Sequence, residues 1–197
     1  MITLIIVDCQ YDFIKGSLAV EGSVKAVSNI VRFIIKNRKK IDKIVLTADW
    51  HPRNHCSFKK FGGLWPAHCI QYSRGASFEQ FLFNTVTTST IPYDVIIKGT
   101  YSDKEEYGAF TAEGEERPLP DALYDRYHVC DINPNADIVV CGIAGDYCVK
   151  ETLKNILDLN PKVYLNGIAS IDGGVAINDF IEHNKLEVVD EKLSNCR

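Results

Sequence analysis

The sequence predicts an α/β protein: a three-layer α/β/α arrangement around a mostly parallel, six-stranded sheet. Two observations predict it. Short apolar, β-branched runs recur along the 197 residues, and stretches with helical periodicity fill the intervals. Strands that alternate with helices imply βαβ units, parallel pairing and helices on both faces. The runs are continuously apolar rather than alternating, which fits strands covered on both sides.

The elements follow in order. Ile2 to Val7 is the first strand. Val24, Val27, Ile30, Val31, Ile34 and Ile35 repeat at helical spacing, and Lys36, Arg38, Lys39 and Lys40 supply the positive charge that a helix C-terminus favours. Ile44 to Leu46 is the second strand, Ser77 to Phe83 a short helix, Val95 to Ile97 the third strand and Ile138 to Cys141 the fourth. The turn Gly142 to Tyr147 then opens a helix with Leu153, Ile156 and Leu157 facing inward, which Asn160-Pro161 stops. Val163 to Leu165 is the fifth strand, Val175 to His183 a helix, and Leu186 to Val189 the sixth strand. Two long irregular stretches remain, Pro52 to Gly75 and Gly99 to Asp131, and long loops in compact domains are more often functional than idle.

Length and composition bound the function. The length fits one domain, residues 1–197, at roughly 150 residues per domain. The net charge is −4 with no basic stripe, which argues against nucleic acid as a partner. The acidic residues Glu105, Glu106, Glu113, Glu115 and Glu116 read as a solvated loop face. The first apolar run meets Asp8 too soon for a signal peptide or a membrane span. Seven cysteines, none in Cys-x-x-Cys, predict a reduced, cytoplasmic compartment with most thiols inert. A homo-oligomer is compatible with the sequence, which does not fix the state.

The chemistry gathers where strands end. The first strand delivers Asp8, the second Asp49 and His51, the third Lys98, and the fourth leads to Cys148. Ligands of parallel α/β sheets bind beyond the carboxyl ends of the strands, so these residues converge on one side. Asp49 and His51 are two apart and leave the same face of extended backbone. Carboxylate plus imidazole is a divalent-metal ligand set, and Trp65-Pro66-Ala67-His68 brings a further imidazole. Asp with two His suits Zn²⁺ best, with Fe²⁺ or Mn²⁺ as alternatives. Cys148, at a helix start near Lys98, is the candidate nucleophile with a lowered pKa. Cysteine proteases pair the thiol with His, and none stands near Cys148 in sequence. Asp8 as proton acceptor with Lys98 as electrostatic partner is the more economical triad, the lysine favouring the charged forms of both its neighbours.

Asp8-Cys9-Gln10-Tyr11-Asp12-Phe13 resembles the opening motif of the isochorismatase-like cysteine hydrolases. Asp49-Trp50-His51-Pro52-Arg53-Asn54-His55-Cys56-Ser57-Phe58 and Leu64-Trp65-Pro66-Ala67-His68-Cys69-Ile70 are similar to the two metal segments of that family's nicotinamidase branch. Lys98-Gly99 and Gly142-Ile143-Ala144-Gly145-Asp146-Tyr147-Cys148-Val149 match its lysine and nucleophile segments, so the likeness runs from residue 4 to about 190.

The resemblance implies hydrolysis of nicotinamide to nicotinate and ammonia. It implies Asp8 as general base, Cys148 as nucleophile and Lys98 as third member of the triad. It places the oxyanion on the main-chain N–H groups of Ala144 and Cys148, with a cis peptide at Ile143-Ala144. It implies one metal ion held by Asp49, His51 and His68, with His55 a further ligand in some relatives, and a pyridine ring between Phe13 and Trp65. Gly145 stands where the family often has Thr, implying a looser turn; Tyr11 replaces a common Asn; Asp172 to Val175 follows the family only loosely; and 113–131 has no counterpart. Competing functions are a related cysteine amidase for another small amide or carbamoyl compound, a nicotinamide- or metal-sensing module, and a metal-water hydrolase in which Cys148 is incidental.

Overall fold

The computed structural model describes residues 1–110 and 135–193. The elements are β1 (Ile2–Val7), α1 (Tyr11–Ile14), α2 (Ser23–Asn37), β2 (Ile41–Asp49), α3 (Gln80–Thr88), β3 (Tyr93–Lys98), β4 (Asp137–Ile143), α4 (Lys150–Asn155), β5 (Lys162–Ala169) and α5 (Val175–Asn184). The strands pair in the order β3-β2-β1-β4-β5, every pair parallel. The expected three-layer arrangement is therefore present.

The period-2 alternation of β1 divides the core. Leu4 and Ile6 face one apolar cluster with Ile30, Phe33 and Ile34 of α2, while Ile5 and Val7 face a second with Val149, Leu153 and Ile177. Each such aliphatic side chain contributes roughly 1.5–3 kcal/mol through burial. Truncating Leu4 to Ala would leave a cavity between sheet and α2 and cost about 2–5 kcal/mol. Helix α2 starts after left-handed Gly22 and buries Ala26, Val27, Ile30, Val31, Phe33 and Ile34.

Two expectations need correction. Among the described residues the sheet has five strands, not six. Leu186 to Val189 touches β5 through one parallel bridge, Val163 with Val188, with the main-chain bonds Val163 N–H to Glu187 O and Val189 N–H to Val163 O, while Leu186 N–H turns back to Ile181 O of α5. Beyond it the chain leaves the sheet for α2, where Glu191 Oε1 accepts from Arg32 Nε at 2.7 Å and Leu193 N–H donates to Asn37 Oδ1. The short helix expected at Ser77 to Phe83 lies instead at Gln80–Thr88. Its true cap is Glu79, whose carboxylate accepts the Leu82 N–H at 2.9 Å. The threonine-rich end looks unlike a helix in sequence, yet Thr85 and Thr88 hydroxyls donate to carbonyls one turn back.

Glu113 to Asp131, Cys130 and Cys196 lie outside the described residues. The five described cysteines are free. No helix among the described residues is long and apolar enough to cross a membrane.

Candidate active site

Parallel pairing puts the chemistry at one edge. Asp49 and Lys98 are direct register partners at the ends of β2 and β3. Asp8 follows β1 in a left-handed conformation, and Cys148 lies in the π-helical turn Gly145–Val149 after β4. The Ile143-Ala144 peptide is cis.

Lys98 is the hub. Its Nζ lies 2.7 Å from Asp8 Oδ2, donates to Asp49 Oδ1, and approaches Cys148 Sγ at 3.5 Å. A carboxylate oxygen of Asp8, one of Asp49 and the Cys148 sulfur all lie within 4.8 Å of one another. All four side chains are buried. A buried ammonium is costly alone, and two carboxylates offset that cost here.

The charges divide accordingly. Burial disfavours charge on Lys98, but Asp49 and Asp8 win and hold its pKa well above the usual lysine value. Burial also pushes Asp49 up, yet Lys98 and His51 hold it well below the carboxylate range. Asp8 is raised by burial and by Asp49, with Lys98 opposing. The expected lowering of the Cys148 thiol does not occur. Burial drives it well above an ordinary thiol, and Asp8 and Asp49 add to this against Lys98. The thiol therefore rests protonated beside a carboxylate of raised basicity.

Asp49, His51 and His68 bring one ligand atom each within 4.8 Å of one another. His51 Nδ1 bonds to the Gly99 carbonyl and His68 Nδ1 to the Pro66 carbonyl, both at 2.8 Å. These bonds put a proton on each Nδ1 and direct each Nε2 towards Asp49 Oδ2, at 3.3 and 3.8 Å. Among the described residues, His51 Nε2 is buried with no hydrogen-bond partner. An orphaned imidazole nitrogen beside a second imidazole and an ionised carboxylate fits a divalent cation.

His55 is a different case. Its Nε2 faces the Lys104 carbonyl at 3.0 Å, so that nitrogen carries the proton, and Nδ1 accepts from the Ser57 hydroxyl at 2.7 Å. Burial and the adjacent His51 lower its pKa to about 4, so the ring is neutral. Both nitrogens are engaged, and the ring packs on His51 at a 30° tilt, centroids 4.0 Å apart.

Phe13 packs on His68, ring centroids 5.4 Å apart. Trp65 stands edge-on to Tyr147 at 5.0 Å, and its Nε1–H donates to the Tyr107 hydroxyl at 3.2 Å. Trp65, Tyr107 and Tyr147 thus form one aromatic cluster that includes the residue before Cys148. Ala144 is buried, and its carbonyl accepts the Tyr147 and Val149 N–H groups.

Several supporting residues were not foreseen. Thr47 donates its hydroxyl to Asp8 Oδ1 at 2.6 Å. Gln10 fixes the backbone of Asp49 from both sides, accepting its N–H and donating to its carbonyl, each at 2.8 Å. Asp146 accepts the N–H groups of Ile171 and Asp172, tying the loop after β5 to the nucleophile turn. Gly145 does not loosen that turn: a Cβ there would lie 2.1 Å from Ser170 Oγ and 2.7 Å from Ile168 Cγ2. Gln10, Gly145 and Asp146 stand in the quoted motifs, which gave no sign of these partners; the contact of Thr47 with Asp8 joins residues 39 apart and has no motif signal at all.

The isochorismatase domain model matches residues 3–170. The nicotinamidase of Escherichia coli is 32% identical over 178 residues, covering 81% of this chain and 78% of its own. The pyrazinamidase of Pyrococcus horikoshii, solved in complex with zinc, superposes with a TM-score of 0.74 at 30% identity, covering 96% of this chain and 98% of its own. PnC1 of L. infantum, solved in complex with nicotinate, gives a TM-score of 0.77 at 29% identity, covering 96% and 92%. The domain match over residues 3–170, with this fold and this level of identity, shows that the chain belongs to the isochorismatase family.

Proposed function

We propose that the chain is a nicotinamidase, an amidohydrolase that cleaves the carboxamide C–N bond of nicotinamide to give nicotinate and ammonia. One observation carries this: a buried lysine amine touches Asp8 and Asp49 and reaches the Cys148 sulfur, beside two imidazoles aimed at Asp49. The similarity to nicotinamidases and to a nicotinate complex supports the substrate.

Cys148 gives its proton to Asp8 as Sγ attacks the carboxamide carbon. The oxyanion forms against the main-chain N–H groups of Ala144 and Cys148. Asp8 returns the proton to the departing ammonia, leaving a thioester; Asp8 then activates water, and the thioester hydrolyses to nicotinate. Lys98 keeps the carboxylate and the developing thiolate in one field throughout. Asp49, His51 and His68 would hold one divalent metal ion, Zn²⁺ by analogy with the P. horikoshii structure or else Fe²⁺ or Mn²⁺, which would supply a Lewis acid for the pyridine nitrogen. Phe13 and Trp65 would flank the ring, and such aromatic contacts contribute roughly 0.5–1.5 kcal/mol beyond area burial.

The test is ammonia and nicotinate release from nicotinamide. Wild-type protein should release both in equal amounts, and Cys148→Ala should release neither. Turnover that survives in the alanine variant rules out covalent catalysis by this residue.

A further inference from the structure

Glu106 has no part in the steps above, yet it is bonded to both halves of the site. The residue is buried, 8% exposed, on the segment after β3. Its Oε2 accepts the Gly99 N–H at 3.0 Å, and its Oε1 pairs with exposed Lys104 Nζ at 3.3 Å. Its main-chain carbonyl lies 3.5 Å from Lys98 Nζ.

Gly99 is what this carboxylate holds. It has a φ of +64°, and a Cβ there would lie 2.4 Å from His51 Cε1. Its carbonyl receives the His51 Nδ1 proton at 2.8 Å. The N–H and the carbonyl flank one Cα, so the placement of this one residue bears on which His51 nitrogen is protonated and where Nε2 points. An ionised acceptor makes a shorter and stronger bond to an N–H than a neutral one. That strength gives a reason for burying a carboxylate at a place where any acceptor would satisfy the donor.

We propose that Glu106 is a positioning residue: through the Gly99 amide it holds His51 in its metal-binding tautomer, and through its carbonyl it steadies the Lys98 amine between Asp8 and Cys148. This rests on the metal site proposed above. Loss of a partner that orients a metal-bound histidine lowers metal affinity by about 10–100-fold.

The experiment compares full-length wild type, Glu106→Met and Glu106→Gln. Methionine keeps the length and bulk but accepts no N–H; glutamine keeps an acceptor. Zn²⁺ affinity is read by competition with a chromogenic chelator, and folding by circular dichroism. Folded Glu106→Met should bind Zn²⁺ about 10–100-fold more weakly, and Glu106→Gln should recover most of that loss. Wild-type affinity in a folded Glu106→Met overturns the inference, as does a glutamine variant as weak as the methionine one. A wild-type chain that binds no Zn²⁺ overturns the metal site and this inference with it. If the methionine variant does not fold, hydrogen exchange at the wild-type Gly99 amide decides. Strong protection supports the bond to Glu106, and exchange as fast as at exposed Lys104 overturns it.

Discussion

Thr47→Val is the sharpest perturbation of the proposed base. Valine matches threonine in shape, and Thr47 is fully buried, so packing changes little while the hydroxyl disappears. That hydroxyl donates to Asp8 Oδ1 at 2.6 Å and accepts the Asp8 N–H at 3.2 Å. Hydrogen bonds to charged groups contribute about 1.5–3 kcal/mol. If the bond holds Asp8 in line with the thiol, kcat/KM for nicotinamide falls about 10- to 100-fold, at 1.4 kcal/mol per decade. The pH dependence moves as well. Burial and Asp49 already raise Asp8, and Thr47 opposes them. Removing it raises the folded-state pKa further, so more of the base is protonated at a given pH. The acidic limb of kcat/KM shifts upward, and because Asp8, Lys98 and Cys148 titrate together, that limb belongs to the cluster. The assay is coupled ammonia release across pH for wild type, Thr47→Val and Thr47→Ser. Serine keeps the hydroxyl and should stay near wild type. Wild-type rate and an unmoved limb in Thr47→Val would refute the role given to Asp8.

Lys98→Met removes the cation between two buried carboxylates; it should lower kcat by about 10²–10³-fold and stability in urea by about 3–5 kcal/mol, whereas near-wild-type turnover would take the lysine out of the mechanism. Chelation should abolish nicotinamide hydrolysis, and Zn²⁺, Fe²⁺ or Mn²⁺ should restore it. Benzamide, which lacks the ring nitrogen, should be a poor substrate beside nicotinamide and pyrazinamide; equal rates would dismiss metal anchoring. Asp172 accepts the Gly174 and Ala176 N–H groups at the start of α5, and these bonds, Ala176 first, hold its pKa below the usual value. Asp172→Ala should cost about 0.5–2 kcal/mol at neutral pH. The folded-state pKa is depressed, so this stability is present above the unfolded value of about 3.9 and is lost as pH falls through the folded one. An equal difference in urea midpoint between variant and wild type at pH 7 and at pH 2.5 would contradict it. Gly145→Thr should cost about 1–3 kcal/mol by overpacking against Ser170, and Ser170→Gly should recover part of it; a neutral single variant would show that the turn has room.

What the sequence revealed follows from which interactions are periodic. Strand ends were legible because Ile2–Val7, Ile44–Leu46 and Ile138–Cys141 are continuous apolar runs that stop at chemistry-bearing residues. The pairing of Asp49 with His51 was legible because extended backbone repeats every two residues. The register that sets Asp49 opposite Lys98 has no such signature. Nor has the difference between His51 and His55, which rests on one nitrogen: the Gly99 carbonyl takes His51 Nδ1 and leaves Nε2 to face Asp49, while the Lys104 carbonyl occupies His55 Nε2. The sixth strand misled because Leu186 to Val189 is as apolar as a strand, and only the Glu191 contacts to α2 show that the chain departs. Glu106 looked like one more solvated acid in a charged loop, and its burial against Gly99 is a purely tertiary fact.

The thiol shows how a local rule can be outweighed. A helix start and a nearby lysine favour the thiolate. Here the same lysine faces two carboxylates, so Lys98, Asp8 and Asp49 already carry a net charge of one negative unit before the sulfur ionises. A resting thiolate would make it two in a buried site. The proposed passage of the proton from Cys148 to Asp8 would avoid this: the total would stay fixed, and the negative charge would move between neighbours of one ammonium, from 2.7 Å on the carboxylate side to 3.5 Å on the sulfur side. In the proposed mechanism the nucleophile would then form when the substrate carbonyl is there to take up its charge, and these four side chains would carry no more charge together than they do at rest.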